Sequence, residues 1–141
     1  MGRYEYLPHT ADIKVRIWGE TLEDAFTEAG KAFTDTTIDI SKIEKKVVDQ
    51  IRVEGGDLEE LLYNFIEELI IRLDAEGKVY SDFKIKILKD GDKYTLSGYA
   101  EGEELDLGRH NPKIHVKAMT YHEMRIEKAD NGYIIEFVLD I

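Results

Sequence analysis

One amphipathic stretch stands out in the sequence: residues 57–73 read DLEELLYNFIEELIIRL. Its apolar residues recur at intervals of three and four, which places them on one face of an α-helix. Asp57 can cap the first turn, and the acidic residues that follow it lie near the positive end of the helix dipole. Gly77 is placed to end the helix. The stretch therefore predicts a long helix with one face buried in the core.

A shorter helix and two strands are predicted upstream of this helix. Residues 13–17 alternate apolar and charged side chains, the period-2 pattern of a half-buried strand. Thr21, followed three residues later by an aspartate, resembles a capping box. The apolar residues after it keep helical spacing and predict a helix over about residues 21–34. A further strand is predicted over residues 47–53.

Downstream of the long helix the helical period disappears. Residues 83–87 alternate apolar side chains with lysines, and residues 90–91, Asp-Gly, are typical of a tight hairpin turn. We predict a returning strand, a long strand over about residues 114–127 and a last strand over residues 133–141. This order predicts an α+β fold with a mostly antiparallel or mixed β-sheet and two amphipathic helices packed on one face. No linker interrupts the chain, so a single domain is predicted over residues 1–141.

The composition narrows the classes of function. The chain has no cysteine, which excludes disulfides, zinc–thiolate sites and a thiol nucleophile. No apolar run approaches the ~20 residues that cross a bilayer, and the N-terminal residues lack the apolar stretch of a secretory signal. We therefore expect a cytoplasmic protein without a membrane partner.

The charge of the chain bears on its partners. The formal net charge is −11, whereas proteins that bind nucleic acids gain most of their affinity from Lys and Arg. The two most basic clusters, residues 42–46 and 84–93, are interrupted by acidic residues. We therefore expect no direct nucleic-acid binding, and we expect any action on RNA to run through a protein partner.

Two aspartates lie at predicted strand ends, on the face that points away from the core. Asp12 precedes the first of these strands, and Asp140 lies near the end of the last one, next to the α-carboxylate of Ile141. Calcium and magnesium prefer ligand sets made of oxygen atoms. The two aspartates and the Ile141 carboxylate could therefore share one divalent cation. Alternatively, they are strand-end residues that remain in water.

One lysine and one histidine are further candidates for the site. Lys117 has apolar neighbours in the sequence, so it is either an edge residue with its ammonium in water or a cation held near carboxylates. The four histidines form no HxH or HxxxH pair of the kind found in metal sites. Structural or surface roles are therefore expected for them. His9 is the exception, because Asp12 could share a site with it.

Four short motifs occur in an order that is typical of one family. They are HTAD at residues 9–12, a helix start TLEDAF at 21–26, VKAMTYH at 116–122 and VLDI at 138–141. With these motifs the chain resembles the archease family, the accessory proteins of the RNA-splicing ligase that seals tRNA halves. The resemblance covers nearly the whole chain.

The resemblance implies a function and a set of residues. It implies that the chain is not an enzyme and that it activates the ligase in tRNA splicing by promoting ligase guanylylation and multiple turnover. That ligase joins RNA ends bearing a 2′,3′-cyclic or 3′-phosphate to a 5′-hydroxyl, with GTP and manganese. By the same resemblance Asp12, Lys117 and Asp140 carry the activation. It also implies that the two aspartates bind a divalent metal, with calcium as the expected ion.

Two other classes of function remain open. A small metal-dependent hydrolase would use the same two aspartates with His9 around a catalytic ion, although no general base or substrate-binding motif is recognisable. A general chaperone or interaction module would use apolar surface around Tyr4, Tyr6 and Trp18. Phosphoester turnover by the purified chain would favour the first class, and protection of unrelated clients would favour the second.

Overall fold

The computed structural model describes residues 1–9 and 11–141. Its strands and helices, in chain order, are β1 (Gly2–Leu7), β2 (Ile13–Gly19), α1 (Leu22–Thr37), β3 (Val47–Gly55), α2 (Leu58–Glu76), β4 (Lys78–Asp90), β5 (Lys93–Glu104), β6 (Ala118–Met119), β7 (Arg125–Ala129) and β8 (Gly132–Asp140). A short 3-10 turn, Ile40–Lys42, lies between α1 and β3. No helix in the described part of the chain is long and apolar enough to cross a membrane.

Both helices begin, and α2 also ends, with the chemistry predicted from the sequence, whereas α1 runs to Thr37, past its predicted end near residue 34. Thr21 and Asp24 form a reciprocal capping box at the start of α1. The Asp57 side chain accepts a hydrogen bond from the Glu60 amide at the start of α2. Gly77 ends α2 with φ 64°, a left-handed conformation that costs glycine nothing because it has no Cβ.

The strands form two antiparallel sheets. The larger sheet has the order β1-β2-β8-β6, and β7 also pairs with β8. The smaller sheet has the order β3-β5-β4. The predicted α+β class, with antiparallel strands and two helices, is confirmed. The strands divide between two sheets because β2 pairs with β8 from the far end of the chain, while β3 pairs with β5.

The two helices join the sheets into one core. Each helix contacts strands of both sheets, and the buried side chains form one large cluster. Phe65 of α2 lies at its centre, 5.4 Å from the ring of Phe83 in an edge-to-face arrangement and 6.3 Å from the ring of Phe26. The strand β8 contributes Ile135, Phe137 and Leu139, which are fully buried.

The prediction of one long strand over residues 114–127 is wrong. The strand β1 was not predicted from the sequence. Within residues 114–127 only residues 118–119 and 125–127 are strands, and the latter are the start of β7. The preceding loop instead bonds to the end of α1, where the Lys113 amide donates to the Thr37 carbonyl and Ile38 forms an isolated bridge with Pro112. Because these backbone groups are satisfied outside a sheet ladder, the apolar residues of this stretch do not form a continuous strand.

Candidate functional site

The register of the larger sheet brings the three predicted site residues to one end of it. Ile13 pairs with Leu139, so Asp12 and Asp140 are the next residues along neighbouring antiparallel strands. The Lys117 amide donates to the Asp140 carbonyl at 2.7 Å. Side chains at directly opposed positions of such strands have Cβ atoms about 4.5–5.5 Å apart. The two aspartates, 128 positions apart in sequence, thus become neighbours, as a shared cation site would require. We call this end of the sheet, with Asp12, Lys117 and Asp140, the acidic end.

The Asp12 carboxylate contacts the His9 ring, in agreement with the expectation that Asp12 could share a site with this histidine. Nδ1 of His9 faces Asp12 Oδ1, and Nε2 lies 2.9 Å from Glu123 Oε2. The other Glu123 oxygen accepts a hydrogen bond from Lys14 at 2.8 Å. Lys14, and after it His9, holds the pKa of Glu123 well below its usual value, at about 2. The acidic end therefore keeps a carboxylate, Glu123, that stays ionised far into the acidic range.

The backbone beside this network takes an unusual conformation. In the described residues three non-glycine residues have positive φ, and two of them are Ala11 at 66° and Glu123 at 56°. Left-handed backbone at a non-glycine residue is uncommon and costs free energy, and it often accompanies functional sites. These two residues directly neighbour Asp12 and His122 in the chain. The second residue of the HTAD motif, Thr10, lies outside the described residues.

The segment that carries Lys117 is anchored to α2. The Met119 amide donates to Glu67 Oε2 at 2.7 Å. The ring of Tyr121 stacks on Tyr63 with centroids 4.4 Å apart and planes within 8°. Because β6 contains only two residues, these contacts from α2 supplement a short ladder and fix where Lys117 leaves the sheet.

The three predicted site residues differ in their surroundings. The side chains of Lys117 and Asp140 are exposed, whereas Asp12 is 24% exposed and engaged by His9. Ile141 is half buried and its side chain packs against the core cluster. The acidic end thus has one shielded carboxylate, Asp12, beside the freely accessible carboxylate of Asp140.

The candidate ligand atoms at the acidic end are oxygen atoms, the type that a hard divalent cation prefers. Asp12, Asp140 and the carboxylate that follows Asp140 at Ile141 are oxygen ligands, which calcium prefers. In residues 1–9 and 11–141, however, no three His, Asp or Glu side chains are grouped closely enough to hold a metal ion. An ion at the acidic end would therefore need water to complete its coordination.

Two of the remaining histidines make ordinary structural or surface contacts. His110 is fully buried; its Nδ1 accepts the Asp106 amide hydrogen at 2.8 Å, and its Nε2 lies 2.9 Å from Glu103 Oε2. Because Nδ1 accepts, the proton lies on Nε2 and is donated to Glu103. His115 is 67% exposed and lies 3.5 Å from Asp74.

Sequence reasoning missed three residues that shape the acidic end: Lys14, Glu67 and Glu123. Lys14 was recoverable, because it lies two positions after Asp12 and therefore on the same face of β2. Glu123 directly follows the VKAMTYH motif, which is a weak signal. Glu67 lies on an amphipathic helix with many exposed carboxylates, and nothing in the sequence distinguishes it from them.

These features define a small α+β protein with an exposed acidic end built from its first and last segments. The chain belongs to the archease protein family, whose family model matches residues 4–141. The protein archease of Pyrococcus furiosus is 49% identical and that of Pyrococcus abyssi 48% identical, each over the full length of both chains.

Solved structures agree with the fold. The solution structure of Methanobacterium thermoautotrophicum protein 1598 has a TM-score of 0.84 and 31% identity, and it covers 98% of each chain. The crystal structure of an archease from Thermotoga maritima, described as a possible chaperone, has a TM-score of 0.62 and 18% identity. It covers 96% of this chain and 94% of that one, and it shows the fold alone.

Proposed function

We propose that the chain is a non-catalytic accessory protein that activates an RNA-splicing ligase during tRNA splicing in the cytoplasm. The observation that carries this proposal is the convergence of Asp12, Lys117 and Asp140 at the acidic end. These are the residues to which resemblance to the archease family assigns the activation. Membership of that family supports the accessory role.

The acidic end acts by entering the pocket of the ligase that holds GTP and manganese. Asp140 and Lys117 are exposed there, so a carboxylate and an ammonium are available to groups on the ligase. Phosphoryl and nucleotidyl transfer depend on how charge is arranged around the metal ions and phosphates. A carboxylate placed beside those ions promotes the guanylylation of the ligase and its return to the active state after each turnover.

Guanylylation of the ligase is the reaction that tests the proposal. Purified ligase is incubated with labelled GTP and manganese, with and without substoichiometric amounts of the protein, and the labelled ligase is measured over time. We expect more guanylylated ligase than there are molecules of the added protein, because each molecule activates several ligases in turn. An unchanged rate and extent of guanylylation would contradict the proposal.

The same assay separates the other two classes of function. A chaperone would raise activity only by protecting the ligase from aggregation, and it would protect an unrelated aggregating enzyme equally well. A hydrolase would turn over phosphoesters without any ligase when a divalent metal is added. Either result, without stimulation of guanylylation, would replace the present proposal.

Calcium is the cation we propose for the acidic end. Asp12, Asp140 and the Ile141 carboxylate would hold it, and water would complete the six to eight oxygen ligands that calcium takes. The ion would neutralise part of the negative charge at this end. One Asp12 oxygen faces His9, and a carboxylate has a second oxygen with which it can ligate the ion.

Calorimetric titration with calcium tests this site. We expect Asp140→Asn to raise the dissociation constant about tenfold or more, because calcium affinity depends on the number of anionic ligands. Asp130→Asn is the matched control, since Asp130 is exposed in the turn before β8 and removes the same charge. Equal weakening by both substitutions would mean that net charge alone, not a site, attracts the ion.

A further inference from the structure

One face of the smaller sheet is turned away from the helices and is exposed. Burial alternates along its strands: Ile51, Phe83 and Leu96 are buried against the helices, and their neighbours point to solvent. The register aligns the exposed residues in rows across the sheet. The two central rows are Lys84–Tyr99–Gln50 and Lys86–Ser97–Arg52, read from β4 through β5 to β3. We call these six residues the basic sheet face.

The basic sheet face is a local exception in an acidic protein. Its two central rows hold three cations, although the net charge of the chain is −11, and the carboxylates on the same side of the sheet, Asp82, Glu101 and Glu54, lie in the flanking rows. The side chains of Lys84 and Arg52 are 67% and 63% exposed, and Lys86 is exposed as well. Lys84 and Arg52 contact Asp82 and Glu54 at 3.1 and 2.9 Å, and both carboxylates lie in the flanking rows. Such exposed pairs are weak and exchange readily with other anions.

An exposed aromatic ring lies at the centre of this face. Tyr99 is 51% exposed and lies between Lys84 on one side and Gln50 on the other. Residues two apart on one strand are separated by about 6.8 Å. Lys84 and Lys86 are therefore spaced to contact successive phosphates of an extended strand, with the ring beside them.

We propose that the basic sheet face binds single-stranded RNA. Lys84, Lys86 and Arg52 contact phosphates, and a base stacks on Tyr99. Proteins that bind single strands combine cationic grooves with aromatic side chains in this way, because every base has a face that can stack.

The arrangement also explains why the sequence predicted no direct nucleic-acid binding. Read along the chain, the cluster of residues 84–93 is diluted by Asp90 and Asp92. In the structure Asp90 ends β4 and Asp92 lies in the turn after it, beyond the central rows. Cross-strand pairing then adds Tyr99 and Arg52 from distant positions.

Three phosphate contacts give weak, salt-sensitive binding. For single strands the logarithm of the affinity falls by about 0.7 per contact for each tenfold rise in salt, so a slope near −2 is expected here. The isolated chain therefore loses RNA near physiological ionic strength. A partner that already holds the RNA would raise the effective concentration and restore the contact. RNA binding by this face goes beyond the proposed function and is tested without the ligase.

Fluorescence anisotropy with a short labelled oligoadenylate tests the proposal on the full chain. At about 20 mM salt we expect saturable binding that weakens with the slope given above. Lys86→Gln should weaken it several-fold and make the slope shallower by about 0.7. Tyr99→Ser should weaken it at least about fivefold with little change in slope, because stacking carries no charge.

Two matched substitutions control for charge and for loss of an exposed ring. Lys128→Gln removes an exposed lysine from β7 in the other sheet, and Tyr6→Ser removes a ring on β1 of that sheet that is 45% exposed. Neither should change the affinity for RNA. The proposal is overturned if no binding occurs at low salt, if the controls weaken binding as much as the test variants, or if an RNA duplex binds as tightly as the single strand. Far-ultraviolet circular dichroism of each variant checks that the fold is kept.

Discussion

Replacing Asp140 by Asn is expected to abolish activation of the RNA-splicing ligase while leaving the protein folded. Asp140 is exposed at the end of β8, and its contact with Lys117 uses the backbone carbonyl, which the substitution keeps. The free energy of unfolding should therefore change by no more than about 1 kcal/mol. The loss of activation follows because an amide cannot supply the negative charge that the acidic end brings to the metal ions and phosphates of the ligase. Ligase guanylylation and urea unfolding measure the two effects separately.

Asp12→Asn is a second test of the acidic end, and it has a different structural consequence. Asp12 also contacts His9, so its loss should disturb the network at Glu123 as well as remove the charge. Asp130→Asn, in the exposed turn before β8, should leave activation unchanged. Full activation by Asp140→Asn, or a loss that unfolding explains completely, would remove the acidic end from the mechanism.

The regular elements could be predicted from the sequence because their signals are local. Thr21, Asp57 and Gly77 mark helix ends through contacts within a few residues, and the turn at 90–91 does the same for a hairpin. The apolar residues at every second position from 133 to 139 predicted which face of the last strand Asp140 occupies, although the structure buries residues 135–139 on both faces. Local patterns therefore led to the α+β class and to the exposed acidic residues at strand ends.

The segment between β5 and β7 could not be predicted in the same way. Its apolar residues resemble a strand, but its backbone is held by single contacts from distant elements, such as Glu67 on the Met119 amide and the Thr37 carbonyl on Lys113. No periodic pattern in the sequence predicts such contacts. Glu123 was missed for this reason, since its role depends on Lys14 and His9 from the other end of the chain. The basic sheet face was missed because its residues come together only through cross-strand register.

One buried carboxylate holds the start of that segment. Glu103 of β5 is 3% exposed, although it lies just beneath the surface under the guanidinium of Arg109. Its oxygens accept hydrogen bonds from Arg109, from His110 Nε2 at 2.9 Å and from the Glu44 amide at 2.6 Å. Arg109 first of all, together with the Glu44 amide and His110, lowers the pKa of Glu103 from 4.5 to about 2. The charged form of this side chain therefore stabilises the folded chain.

Glu103→Ala is expected to lower the free energy of unfolding by about 3 kcal/mol at neutral pH. The substitution leaves buried donors of His110 and Glu44 without an acceptor, and each such donor costs about 1–3 kcal/mol. Glu104→Ala is the matched control, because Glu104 is the exposed neighbour on the same strand, and it should change stability by no more than about 0.5 kcal/mol. Urea unfolding at neutral pH compares the three proteins. A similar loss in both variants would mean that strand propensity, rather than the buried carboxylate, sets the stability.

The effect of Glu103→Ala should also depend on pH in a defined direction. Because the pKa of Glu103 is lower in the folded chain than its ordinary value of 4.5, its contribution is fully present above about pH 4.5 and declines as the pH falls toward about 2. The difference in stability between wild type and Glu103→Ala should therefore shrink over that range, as measured by urea unfolding at successive pH values. Glu104→Ala should show no such convergence with wild type. A difference that stays constant down to pH 2 would mean that packing, and not the charge on Glu103, holds the loop that leads to Lys117.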